Sequence, residues 1–180
     1  MMTPILLALL AVAGAPPDSA RLIPGDPFPR LRGSYLTGRR AELPAHAGGR
    51  VAVLALGFTY DSRLPVEAWA ARFRERFAAD SEAILYEIPM VGGIARVARR
   101  FIDGGMRRGT PLALQENVIT VYGDTRSWKR RLGVDLPDAA YLVLLDRRGR
   151  IAWMHRGDFS EESFARLAGE IERIGAEDPR

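Results

Sequence analysis

The chain has no cysteine and a single lysine, Lys129, in 180 residues. Without cysteine there are no disulfides, no thiolate–metal sites and no reaction that begins with a thiolate nucleophile. With one lysine, positive charge rests almost wholly on arginine: Lys and Arg together number 26 against 22 Asp and Glu, a formal net charge of +4. No nucleic-acid-binding motif accompanies that charge, so nucleic acid is not an expected partner. Histidine is scarce too. His46 and His155 are the only two, with no carboxylate pair at metal-ligand spacing, so neither a metal nor another cofactor is expected. Repeats and low-complexity tracts are absent. What remains is the composition of one globular domain, 47% hydrophobic and 27% charged.

The longest aliphatic stretch near the start, Ile5 to Ala13, is too short to span a bilayer comfortably. Its length and the following small-x-small site, Ala13-Gly14-Ala15, read as an export signal, with a second cleavage option ending at Ala20. No Lys or Arg precedes the run. An uncleaved membrane anchor and a misplaced start codon are the other readings. The expected organisation is a signal peptide over 1–20, one domain over 21–176 and a frayed tail over 177–180. The expected location is exported, periplasmic or membrane-associated.

Residues 21 to 50 are rich in Pro, Gly and Arg; Pro24 to Leu31 starts an irregular segment, and Tyr35 to Arg39 reads as a short strand and turn. Val51 to Phe58 is an almost unbroken apolar run, the pattern of a strand covered on both faces. Pro65 opens a helix in which Val66, Trp69, Phe73 and Phe77 share one stripe, and Asp80-Ser81 ends it. Ala83 to Ile88 is the next strand and Pro89 to Gly93 a loop. A second helix carries Ile94, Val97, Ala98, Phe101 and Ile102 on an inward stripe, with Arg96, Arg99, Arg100 and Asp103 off it, and is expected to stop at Gly104-Gly105. Met106 to Gln115 reads as loop, and Asn117 to Tyr122 as a strand followed by the Gly123-Asp124 turn. Thr125 to Leu132 forms a short helix closed by Gly133. Tyr141 to Asp146 and Arg150 to His155 form a hairpin about Arg147-Arg148-Gly149. Ser160 caps a last helix reaching about Gly175. Strands and helices alternate until that hairpin, which requires parallel strands with crossover helices and a mixed sheet.

That order, with Gly25-x-x-Phe28-Pro29-x-Leu31 before it and the closing segment Tyr141 to Trp153 followed by Gly157 and Glu161-Glu162, resembles the thioredoxin superfamily. The closing segment resembles the last hairpin and helix of peroxiredoxin-like and TlpA-like proteins. Tyr141, Leu144, Asp146, Gly149, Ile151, Trp153 and Gly157, with Trp69 in an aromatic helix, are most similar to the mitochondrial ATP synthase assembly-factor family (the ATPase complex subunit ten family) and its bacterial relatives. Ala152 stands where that family prefers Arg, and Leu112 to Glu116 lacks an expected arginine. The resemblance implies an α/β thioredoxin-like three-layer sandwich: a central mixed β-sheet, flanking helices and a C-terminal β-hairpin plus helix.

It also implies that Tyr60 and Arg63 fill the two slots of a Cys-x-x-Cys pair, and that Ala140 fills the slot of the facing cis-proline, with Pro137 three residues too early. Thiol exchange is then impossible, and no catalytic residue is assigned. Tyr60, Asp61 and Arg63 at a helix start could contact a small anion or a peptide carboxylate. The plainer reading, a surface turn with Asp61 as a cap, is preferred. A Ser-His-Asp set using Ser62 lacks a nucleophile-elbow context. Arg96, Arg99, Arg100, Arg107 and Arg108 are the densest basic cluster, a candidate surface for an acidic partner or anionic lipid. A solvated helix face is the simpler account of it. Trp69, Trp128 and Trp153 read as core or rim residues.

The leading expectation is a redox-inactive binding or assembly protein. By resemblance its partner is a polypeptide, a membrane-complex subunit during assembly, with weak contact to an anionic membrane beside it. The alternatives are a degenerate peroxiredoxin- or TlpA-like oxidoreductase relative that keeps partner binding, and a small-ligand carrier using the old active-site cleft.

Overall fold

The computed structural model describes residues 20–79, 82–93, 96–123 and 125–177, with backbone only for Arg96 and Val97. The signal segment, the Asp80-Ser81 helix end, Ile94, Asp124 and the residues after 177 lie outside the described residues.

The apolar run Val51–Gly57 forms β3, and every one of its residues is buried. It lies between two strands. Ala83–Val91 (β4) runs parallel to it, and Ala140–Leu145 (β6) runs antiparallel. Ile119–Tyr122 (β5) extends the parallel side, and Ile151–Gly157 (β7) pairs with β6. The segment from Pro24 opens irregularly, and a longer hairpin than expected follows it. Leu31–Tyr35 (β1) and Arg40–Leu43 (β2) form an antiparallel hairpin, joined to the sheet through Tyr35↔Ile119. The sheet order is β2-β1-β5-β4-β3-β6-β7.

Alternate residues of the central strands supply two cores. Val51, Val53, Ala55, Leu85, Leu142 and Leu144 meet Arg63–Phe77 (α1) and Glu161–Glu177 (α4), where Trp69, Phe73, Phe164, Leu167 and Ile171 are buried. Leu54, Leu56, Ile88, Tyr141 and Val143 face the other way, with Phe28, Leu31, Tyr35 and Leu43 packed over them. Trp128 of Thr125–Leu132 (α3) packs against this second core and stacks on Phe28 at 5.5 Å. The period-two alternation of a strand buried on both faces is thus realised in full. Ser160 caps α4 as expected, its hydroxyl accepting from the Ser163 amide at 3.2 Å.

Three local expectations are corrected. The strand β4 continues through Pro89 to Val91, because proline's extended φ suits a strand and β5 pairs Met90 and Val91. The second helix, α2 (Arg96–Gly109), runs through Gly104-Gly105. Phe101, expected inward, is 79% exposed. Among the described residues no helix is long and apolar enough to cross a membrane.

Candidate functional site

Between the end of β3 and the start of α1 the chain makes a tight turn over Thr59 to Ser62. Ser62 is 1% exposed. Its hydroxyl donates to the Thr59 carbonyl at 2.8 Å and accepts from the Thr59 amide at 3.1 Å. The Ser62 amide donates to the Thr59 hydroxyl at 3.1 Å, and that hydroxyl donates to Asp138 Oδ1 at 2.7 Å. Both hydroxyl protons are therefore committed, and neither hydroxyl has a histidine base as partner. The Ser-His-Asp set is not brought together. His46 Nδ1 accepts from the Glu42 amide at 3.2 Å, and His155 stacks on Trp153 at 5.5 Å beside Trp69. Gly57 is needed here, since a Cβ at that position would sit 2.6 Å from Ser62 Oγ.

Tyr60 and Arg63 meet each other. The Arg63 guanidinium lies 4.4 Å from the centroid of the Tyr60 ring, a cation–π contact of roughly 0.5–1 kcal/mol at an exposed site. Tyr60 is 76% exposed, and Asp61 and Arg63 are exposed beside it. Ala140 is fully buried in the core shared with α1 and α4 and pairs with Gly157. The residue of its loop that reaches the corner is Asp138. Leu64 and Leu136, both more than half exposed, flank the Thr59–Asp138 bridge in sequence. Two hydrogen bonds fix the Leu136 loop: Tyr141 Oη accepts from the Asp135 and Leu136 amides, each at 3.1 Å.

Next to the corner, at the C-terminal ends of β3, β4 and β5, is an open cleft of about 650 Å³. Phe58 and Met90 form its apolar floor, and Gly92, Gly93 and Gly123 leave bare backbone at its wall. Gly123 has φ +122, which other residues rarely adopt. Thr125, Arg126 and Lys129 come from α3, with the Lys129 ammonium 5.7 Å from the Phe58 ring centroid. The sequence pointed to this place only through the Gly92-Gly93 and Gly123 turns. Phe58, Lys129, Thr59 and Asp138 were missed because three separate segments bring them together.

The basic cluster divides. Arg99 stacks over the Tyr122 ring at 4.4 Å, Asp103 accepts the Tyr122 hydroxyl at 2.6 Å, and Arg107 donates to the Leu36 carbonyl. Burial and the Asp103 carboxylate hold the Tyr122 hydroxyl well above the usual phenol range. Arg100 and Arg108 are exposed, and the Arg96 side chain is outside the described residues. Arg99 and Asp103 meet Tyr122 of β5, Ala98 and Ile102 stay partly buried, and Phe101 is left outward.

No family model matches the chain, and no curated protein matches its sequence. Solved structures do share its fold. A Chlorobium tepidum protein described as the thiol:disulfide interchange protein DsbE has 17% identity over 85% of this chain and 98% of its own, with a TM-score of 0.57. BsSco, of the Sco family of cytochrome c oxidase assembly proteins, has 11% identity over 87% and 98%, with a TM-score of 0.60. The exposed lipoprotein thioredoxin Etrx1 of Streptococcus pneumoniae has 11% identity over 79% and 99%, with a TM-score of 0.56. At such identities the likeness establishes a fold and not an activity. The fold is thioredoxin-like.

Proposed function

We propose that this chain is a redox-inactive thioredoxin-like binding protein that receives a polypeptide at the Tyr60–Arg63 corner and assists assembly of a membrane protein complex. One observation carries the reading. Where thiol chemistry would occur, the two slot residues are stacked on each other and the neighbouring hydroxyls are closed into a hydrogen-bonded turn. Nothing there can attack a disulfide, yet Tyr60, Leu64 and Leu136 leave apolar surface exposed around the turn. A neighbour in fold is a cytochrome c oxidase assembly protein and another an exposed lipoprotein, which supports an assembly role and an exported location. The exposed Arg100 and Arg108 suit weak contact with an anionic membrane. A second reading, a relative of thiol oxidoreductases that keeps ligand binding alone, is favoured by the open cleft beside Phe58.

The test is crosslinking and recovery from detergent-solubilised membranes of the native cells. Wild type should capture defined subunits of one membrane complex, and the Tyr60→Ser/Leu136→Ser variant should lose most of them. Equal capture by both, or robust insulin reduction by the purified protein, would refute the reading.

A further inference from the structure

The geometry points to the cleft beside Phe58 as a site for the C-terminal carboxylate of a polypeptide whose last side chain is apolar. The inference rests on the polypeptide-binding reading and names the part of the partner that the fold can recognise.

Three features select that chemistry. The cleft joins two kinds of surface. Its floor is Phe58 and Met90, 8% and 3% exposed, which offers an apolar side chain a dry contact. Its rim carries Arg126 and Lys129. Among the described residues neither has an ion-pair partner, although arginines elsewhere in the fold do, among them Arg72, Arg74, Arg76, Arg147 and Arg156. Two cations above an apolar floor match an acid with an apolar substituent, and a charge-assisted bond to carboxylate is stronger than a neutral one. The second feature is Lys129 itself. The only lysine of the chain lies at this rim, partly shielded, with its ammonium near the Phe58 ring. The third decides between a free acid and a chain end. Phe58 of the cleft is followed by Thr59, which is bonded to Asp138, so the cleft adjoins the turn carrying the exposed Tyr60 and the loop carrying Leu136, where a chain with its carboxylate at Lys129 would continue. A small free acid would leave that apolar corner unused. About 650 Å³ holds a terminal residue and part of its neighbours.

The test uses the whole protein and fluorescein-labelled hexapeptides ending in Leu, Phe or Val, each as free acid and as C-terminal amide. Anisotropy should show the acid of at least one peptide binding about tenfold more tightly than its amide, the order of one charge-assisted contact. Lys129→Met should erase that ratio without changing the melting temperature. Because Lys129 is the only side-chain amine, its rate of acetylation is a second readout, and the peptide acid should slow it while the amide should not. Tyr60→Ser/Leu136→Ser should weaken acid and amide alike and leave their ratio intact, so failure of the corner and failure of the cleft give different results. Equal binding of acid and amide, no binding of any peptide, or protection of Lys129 by N-acetyl-leucine but not by the peptides would each overturn the proposal.

Discussion

The Thr59 hydroxyl donates to the Asp138 carboxylate at 2.7 Å and thereby ties the β3–α1 turn to the loop before β6. The two residues are 79 positions apart and both are exposed. A double-mutant cycle of Thr59→Val and Asp138→Asn should give a coupling of about 0.5–1 kcal/mol in urea unfolding. Additive effects would show that the bridge does not form in solution.

Gly57 and Ser62 should be coupled more strongly. A methyl group on Gly57 would stand 2.6 Å from Ser62 Oγ and only 3.4 Å and 3.5 Å from Ser62 Cβ and Val66 Cγ2. Gly57→Ala alone should therefore destabilise by about 1–3 kcal/mol through overpacking. In the Ser62→Ala background the same change should cost clearly less, because the clashing oxygen is gone. Urea midpoints of the four proteins check it, and a strictly additive cycle would be the contrary result.

The outward Phe101 and the Asp103–Tyr122 bond of α2 make a third prediction. Phe101→Ser should change stability by less than about 0.5 kcal/mol, as for an unengaged surface position. Asp103→Ala should cost about 1–3 kcal/mol, because the partly buried Tyr122 hydroxyl loses its acceptor. Thermal melts that ranked the two the other way would restore the ordinary apolar-inward helix.

His155 sets a pH dependence. Burial, followed by the charge of Arg166, holds its imidazole below the ordinary 6.5. The folded state then binds a proton less readily than the unfolded chain, whose histidine titrates near its ordinary value. This contribution to stability is complete above about pH 6.5 and declines as pH falls below it. The urea midpoint of wild type should fall between pH 7 and pH 5.5 more steeply than that of His155→Gln. Parallel slopes would show that His155 is not the group responsible.

The central strands were legible because they are apolar on both faces, and α1 because Val66, Trp69, Phe73 and Phe77 repeat at helical spacing. Of the β1–β2 hairpin only the turn after Tyr35 was legible, because the alternation of its strands is short and prolines and glycines surround it. The orientation of α2 could not be read from the helix alone. It is set by Tyr122 on another strand, and a stripe containing Phe101 gives no warning of a polar partner. The resemblance placed Tyr60, Asp61 and Arg63 at the corner, but not the hydrogen bonds around them. The Ser62–Thr59 turn is local yet depends on Asp138, and Lys129 reaches the cleft only once α3 lies beside Phe58.

The first described residues are pinned to the far end of α3: the Leu22 amide donates to the Arg131 carbonyl at 2.8 Å, and Arg21 lies against Gly133. The cleft is at the opposite end of the same helix, whose eight residues span about 12 Å. The start of the described chain and the cleft therefore lie at opposite ends of α3. Residues 20–22 thus leave the mouth of the cleft clear.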